Sequence, residues 1–473
     1  MYLHPLSHYP GPKLAAISPI PLIIWEIRGK QHSQVKALHD KYGEVIRISP
    51  NALVYRTPQV WKDIYGHRKK GQKSFPKDPQ LYTPTPNGTD GVVTADEANH
   101  SRMRRLMSHA FSDRALREQE TLLHAYADLL VQKLHEQVVE GPSSKVVDIV
   151  RWYNYVTFDL IGDLSFGEPF HCLRDDHYHW WVSLMLDAVK VSVYLKIPHF
   201  FPFLKPLGKV LIPKRLSERK DAVFQLTVDK VSRRLRRQTE RPDFTSYILR
   251  HSHDGLGMTR DEIDANAATF VLAGSETTAA LLSGCTYHLL RNPKVYHRLV
   301  DEIRSSFKDA LDIQLSSIAT LPYLNAVLEE SMRIYPPVPA MLPRLVPEGG
   351  AMINGQYVSE GVSVHFSIFF IFSQSIHVNA PTTDIGIHIP LLNLPLRHQL
   401  RGTRLLHPRA MAQANQQRSQ GKEIRKGQQI RLAAFFLRPS QLYWPAVSLK
   451  NSSSTSSILL ESNCLVSHTR KCA

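Results

Sequence analysis

A mainly α fold carrying small β-sheets is what this sequence predicts, and three observations predict it. Apolar residues recur at helical spacing through most of residues 97–335. Short stretches of alternating apolar and polar residues flank that region, at 44–56 and 346–364. After about Val364 the periodicity stops, and local signals no longer agree with one another. The 473 residues, 43% of them hydrophobic, are enough for one large core. Two units follow: a folded body at 1–364, and an aberrant basic tail at 365–473 expected to be non-native or disordered.

Taken in order, 31–41 has the pattern of a short amphipathic helix. Residues 44–56 read as a hairpin, with Val45, Ile46 and Ile48 set against Leu53, Val54 and Tyr55 about a Ser49-Pro50-Asn51 turn. A helix follows at 58–65. The Pro-, Gly- and Thr-rich run at 69–90 reads as a long loop. Helices are then expected at 97–110, 114–138, 149–165, 177–190, 217–238, 260–290, 293–308 and 323–334. Short strands and turns close the body at 346–364.

The formal charge of +16 looks at first like a nucleic-acid or membrane signal. Its distribution argues otherwise. From His365 to the end there are 13 Lys/Arg and 3 Asp/Glu, so most of the excess sits in the tail. No basic run is interleaved with aromatics, which sets nucleic acid aside. The modest excess left in the body suits either plain solvation or docking to an acidic redox partner or anionic lipid. Ile17 to Trp25 is apolar but short and interrupted by proline, and no stretch reaches the roughly 20 apolar residues of a membrane span. The four cysteines, Cys172, Cys285, Cys464 and Cys472, have neither disulfide-framework nor zinc spacing. A reducing location is the default.

Two strings carry chemistry. Ala273-Gly274-Ser275-Glu276-Thr277-Thr278 lies midway along an apolar helix. Small residues there allow close approach, and a Thr hydroxyl competes for a backbone carbonyl. Alone, the string also reads as a helix kink with a buried Thr. Glu330 and Arg333 stand one turn apart and are followed by Ile334-Tyr335-Pro336-Pro337-Val338-Pro339, which ends the helix in an extended segment. Alone, that pair is an ordinary ion pair worth roughly 0.2–0.5 kcal/mol. His100-Ser101-Arg102-Met103-Arg104 reads either as a basic helix face or as a carboxylate-binding set. The same two readings hold for Arg344.

Together these strings resemble the cytochrome P450 family of haem-thiolate monooxygenases, most closely its fungal secondary-metabolism members, over residues 2–364. The resemblance implies the P450 fold and haem b as cofactor. It implies O2 and electrons from NADPH through NADPH-cytochrome P450 reductase, and a small apolar substrate such as a polyketide or terpenoid intermediate. Thr277 and Glu276 would serve oxygen activation and proton delivery. Ala273 and Gly274 would lie against the haem, with His100, Arg104 and Arg344 on its propionates. Glu330 and Arg333 would lock the haem-binding core together with an arginine of a later Pro-Glu-Arg-Trp-like motif. The variable loops at 69–95 and 175–215 would shape the pocket, and they name no molecule. The N-terminal Pro5, Pro10 and Pro12 resemble the hinge that follows a membrane anchor. Placement at the cytosolic face of the endoplasmic reticulum is implied, with membrane-surface association; no transmembrane anchor is legible here, so a cytoplasmic location is the alternative for the chain as written.

The family's axial thiolate lies in a Phe-x-x-Gly-x-Arg-x-Cys-x-Gly loop, and none of the four cysteines does. No metal ligand is therefore assigned. Back-translation offers a reason. Leu405 to Ala412, encoded CTT CTT CAT CCC AGA GCG ATG GCT and read one base later, gives F-F-I-P-E-R-W. Ala434 to Pro445 with the first base of Ala446, read at the same offset with suitable synonymous codons, gives P-F-S-F-G-P-R-N-C-I-G-R. Both missing motifs return in order. The frame is expected to slip between about Val364 and Leu394, leaving either a monooxygenase gene whose written product is inactive or a haem-free relative that binds a small molecule.

Overall fold

The computed structural model describes residues 4–367, except 67, 69–71, 80–81, 83, 138–146, 186–193, 195–196, 202–213, 238, 240, 251–256 and 310–311. The tail expected to be non-native, residues 368–473, lies outside the described residues.

The body is mainly helical, as the periodicity predicts. Its axis is a 32-residue helix, Arg260–Arg291, packed along the helix Ile149–Phe166. From Trp152 to Phe166 every residue of the latter is buried. Among its buried polar residues, Asp159 accepts from Cys172 and Leu173 N–H, and the Thr157 hydroxyl donates to Tyr153 O. Phe158, Phe166, Phe244, Trp181 and Leu324 join one large core with it. Helix starts follow the capping residues. Asp96 accepts from Asn99 N–H, Ser112 from Ala115 N–H, and Asp148 from Val150 and Arg151 N–H. Proline opens Pro293–Ser306 and Pro322–Ile334, where its missing N–H costs nothing.

The small sheet carries strands β1 (Val45–Ser49), β2 (Ala52–Tyr55), β3 (Arg344–Leu345) and β6 (Ser363–Phe366), in the order β1-β2-β6-β3. β1 and β2 form the expected hairpin. β2 then pairs in parallel with β6, which lies three hundred residues away in sequence, Val54 opposite His365 and Tyr55 opposite Phe366. A separate hairpin joins β4 (Ala351–Ile353) to β5 (Gln356–Val358). It turns on Asn354-Gly355, whose φ angles of 49° and 74° are left-handed values that Asn and Gly tolerate best.

The helix expected at 114–138 is two, Asp113–Glu118 and Glu120–His135. Gln119, buried at the junction, bends the chain without Pro or Gly, and the Glu120 carboxylate is held by Leu315 N–H at 2.6 Å. Of the helix expected at 177–190, residues 180–185 are helical and 186–190 lie outside the described residues. Among the described residues six short helices were not legible: Lys13–Ile17, Ile20–Ile27, Cys172–Asp175, Ile197–Phe200, Phe244–Arg250 and Leu315–Ile318. The fifth shows why. Its start is set by buried Asp243, which accepts from Ser246 N–H and pairs with buried Arg234 from the preceding helix (2.6 and 3.1 Å). The cap is a local pattern, passed over on a helix of only seven residues; only its burial against Arg234 is tertiary.

Three buried histidines make the fold acid-sensitive. Burial pushes His39 and His100 down from 6.5 to about 4, and His365 to about 3. Their folded pKa values lie below the unfolded one, so the unfolded chain binds more protons in the window between. Stability should be full above about pH 6.5 and fall as pH drops toward about 4, by up to about 1.4 kcal/mol per unit for each group. Thermal midpoints measured across that window test this; a flat profile would refute it.

Candidate cofactor site

The long helix forms one wall. Thr259 and Glu262 close its N-terminus with a reciprocal capping box, and the Arg102 guanidinium grips the Glu262 carboxylate from the helix Glu97–Ser108. Farther along, hydroxyls are satisfied by turning back on the backbone. Ser275 donates to Val271 O and Thr277 to Ala273 O, both at 2.5 Å, and Ser283 to Ala279 O at 2.6 Å. Such bonds let polar side chains sit in an apolar wall and bend a helix slightly; here the helix stays unbroken.

Gly274 has a specific use. A Cβ there would stand 2.5 Å from Ile161 Cδ1. Its missing side chain therefore serves the approach of the long helix to Ile149–Phe166. Ala273 and Thr277, one turn apart, are both buried. Glu276 is half-buried, and its charge raises the pKa of Tyr178, which burial raises first. Tyr178 stacks edge-on against Tyr155, ring centroids 4.9 Å apart, and Tyr155 accepts from Arg151 Nη2 at 2.6 Å. The carboxylate of Glu276 is thus within electrostatic reach of a tyrosine–arginine group on the neighbouring helix and loop.

A second wall gathers positive charge. His100 is buried one turn into its helix. Besides burial, Lys77, Arg104 and Arg344 each depress its pKa. Arg344 reaches the group because β3 bridges to Lys77 across the backbone. The Arg344 guanidinium donates to Tyr82 Oη at 2.9 Å and lies over the Tyr65 and Tyr82 rings. Lys77 Nζ donates to Ala95 O at 2.7 Å and Val92 O at 3.2 Å. Burial and Arg344 lower its pKa to about 7. The three residues singled out from sequence, His100, Arg104 and Arg344, are brought together. Lys77 was missed, and Phe75-Pro76-Lys77 carries no signal that could have found it.

A third feature is the fork between Glu330 and Arg333. Arg333 Nε and Nη2 donate to the two carboxylate oxygens at 2.6 and 2.7 Å. The carboxylate holds the guanidinium above its usual pKa, and the two side chains are 15% and 22% exposed. The long helix reaches this segment closely: Gly284 has no room for a side chain because the Tyr335 ring lies against it.

A haem would find a partial fit. Lys77, Arg104 and Arg344 suit two carboxylates; of the two small residues expected against the haem, Gly274 packs on Ile161 instead, which leaves Ala273. The iron would find no thiolate among the described residues. Cys172 and Cys285 are buried, and burial pushes each thiol up to about 12, so both are neutral. No group of three His, Cys, Asp or Glu side chains is placed to hold a metal among the described residues. Cys464 and Cys472 lie outside them.

Comparison with known proteins agrees with this geometry. Residues 11–375 match the family model described as Cytochrome P450. The chain is 47% identical over 372 residues to the cytochrome P450 monooxygenase astJ of Aspergillus oryzae, covering 78% of this chain and 74% of that protein. It is 45% identical over 369 residues to the cytochrome P450 monooxygenase efuB of Hormonema carpetanum (78% and 73% covered). It is 42% identical over 364 residues to the averantin hydroxylase of Dothistroma septosporum (77% and 68% covered).

Proposed function

Because the chain belongs to the cytochrome P450 family, we propose that its gene encodes a haem-dependent monooxygenase oxidising a small apolar secondary metabolite, a polyketide or terpenoid intermediate. Electrons would come from NADPH through NADPH-cytochrome P450 reductase. The names of its relatives, among them a hydroxylase of averantin, support that substrate class. The observation that carries the reading is the cluster of Lys77, Arg104 and Arg344 around buried, neutral His100 in a chain that also keeps the Glu330–Arg333 fork.

Haem, when bound, supplies the oxygen and electron chemistry. The chain's own residues would do the rest. The cations hold the cofactor's carboxylates, Ala273 and its neighbours exclude water, and the Thr277 hydroxyl and Glu276 carboxylate hold and move protons. Family membership also supports placement on the cytosolic face of the endoplasmic reticulum membrane.

As written, the chain has no axial cysteine loop, and we propose that it is inactive. The tail, from about residue 365, would be an out-of-frame translation. β6 extends the sheet to Phe366, so the slip would fall after that residue. A second reading, a haem-free relative binding a small molecule, is favoured by the neutral thiols of Cys172 and Cys285. Sequencing the mature transcript and the genomic DNA across the codons of residues 360–450 separates the two. A transcript that encodes Pro-Glu-Arg-Trp and the cysteine loop supports the enzyme. One that encodes the tail as written supports the haem-free protein.

A further inference from the structure

The turn ahead of the helix Glu97–Ser108 is pinned from two sides. Residues 91–95 belong to no helix or strand. Thr94 and Ala95 N–H return to Gly91 O at 3.1 and 2.9 Å, which closes the turn on itself. Its position comes from elsewhere. Asn266, fully buried on the long helix, accepts from Val92 N–H at 2.8 Å through Oδ1. Asn266 Nδ2 donates to Glu262 O at 2.8 Å, so both ends of the amide are spent. Gly91 runs beside the same helix: a Cβ on it would stand 3.5 Å from Ala265 O.

Val92 is held at its other polar atom too. Lys77 Nζ donates to Val92 O at 3.2 Å and to Ala95 O at 2.7 Å. One residue thus has its N–H and its C=O taken by side chains far apart in sequence. Val92, Val93 and Ala95 are buried in the core that also holds Ala267 and Val271 of the long helix. Apolar packing alone would settle those side chains and leave buried backbone groups unbonded, which is costly. The polar pins single out one placement of the turn.

Lys77 has a second set of neighbours. Its backbone bridges to Arg344, and burial and then the Lys77 charge lower the pKa of His100. An ammonium carries three N–H. With Val92 O and Ala95 O as two of its acceptors, a carboxylate beside Arg104 and Arg344 can share Lys77 with the turn.

We propose that Asn266 and Lys77 are positioning residues acting as one strap, which fixes the turn 91–95 as a wall of the pocket and ties that wall to the cationic cluster at the cofactor's edge. The contents of the pocket rest on the function proposed above; the strap does not, and it is present in the chain as written.

The test is hydrogen exchange of the full chain as written, read at single amides by electron-transfer fragmentation, with the helix Ile149–Phe166 as reference. Asn266→Ala removes the acceptor of Val92 N–H. It is expected to speed exchange at least about tenfold at Thr94 and Ala95 as well as at Val92. Lys77→Met removes a donor to carbonyls and touches no amide, and it is expected to speed the same amides. Lys77→Arg, which keeps a donor, should exchange near the parent rate. Amides of the reference helix should stay within about twofold of the parent. An effect confined to Val92 in Asn266→Ala, with Lys77→Met at the parent rate, would overturn the proposal, because the pins would then be separate contacts. So would equal acceleration in the reference helix, because the variants would then lower only global stability. If circular dichroism shows Asn266→Ala unfolded, Lys77→Met read at Val92 decides alone. Haem content of the frame-restored parent chain tests the proposed function separately.

Discussion

Restoring the proposed reading frame downstream of Phe366 should give a chain carrying a full complement of thiolate-ligated haem, where the chain as written is expected to carry none. The body holds a polar cluster that would suit the cofactor's carboxylates. Lys77, Arg104 and Arg344 converge on the neutral, buried His100 from a loop, a helix and a strand far apart in sequence, and partial desolvation of the three cations favours an anion beside them. What the described residues lack is a thiolate donor for the metal. The two described cysteines are buried neutral thiols inside helical packing, and neither can become a thiolate without a large cost. The test is direct: express both versions with haem supply, measure bound haem per chain, and record the absorption spectrum of the reduced, carbon monoxide-treated protein. A thiolate-type spectrum from the chain as written would refute the assignment of the missing ligand to the lost frame. A frame-restored chain that stays colourless would refute the frame-shift itself.

Glu330→Ala in the frame-restored chain should abolish haem incorporation, and magnitudes decide between two accounts of that pair. Read from sequence, Glu330 and Arg333 are an i,i+3 ion pair worth roughly 0.2–0.5 kcal/mol. In the structure they form a two-bond fork at 2.6 and 2.7 Å, with both side chains mostly shielded from water. His288, in the last turn of the long helix, also feels the Glu330 charge. Removing the carboxylate would leave a guanidinium partly desolvated and without its fork. That should cost about 1–3 kcal/mol, below the about 3–5 of a fully buried pair. Urea denaturation of the written chain and its Glu330→Ala variant measures that cost, and haem content of the frame-restored pair measures the consequence. A loss under about 0.5 kcal/mol together with normal haem content would return the pair to the status of surface decoration.

The sites that sequence identified and those it missed differ in one respect. Glu330 and Arg333, or Ala273, Glu276 and Thr277, sit within a few residues of one another on a single helix, where spacing alone fixes proximity. The cationic wall does not. His100 and Arg104 share a helix, but Arg344 joins them through β3, and Lys77 through a backbone bridge to Arg344. Gly274 illustrates the reverse case. The motif was legible, yet the contact that needs the glycine is with Ile161 of another helix. The helix at Phe244–Arg250 was missed because it spans only seven residues; its Asp243 cap is a local signal, and the Arg234 pair that buries that cap is not.

Sequence by itself determined the mainly helical class, the hairpin at 44–56, the long helix and the two motif strings, because each rests on contacts within a turn or two of chain. It also determined the absence of the axial cysteine loop, which is a matter of composition and order. Only the tertiary structure decided where β6 pairs, which cations meet around His100, and how closely Gly274 lets two helices approach. Those outcomes depend on pairings between residues tens to hundreds of positions apart. Burial, desolvation and shape complementarity select such pairings from many that the local pattern permits equally.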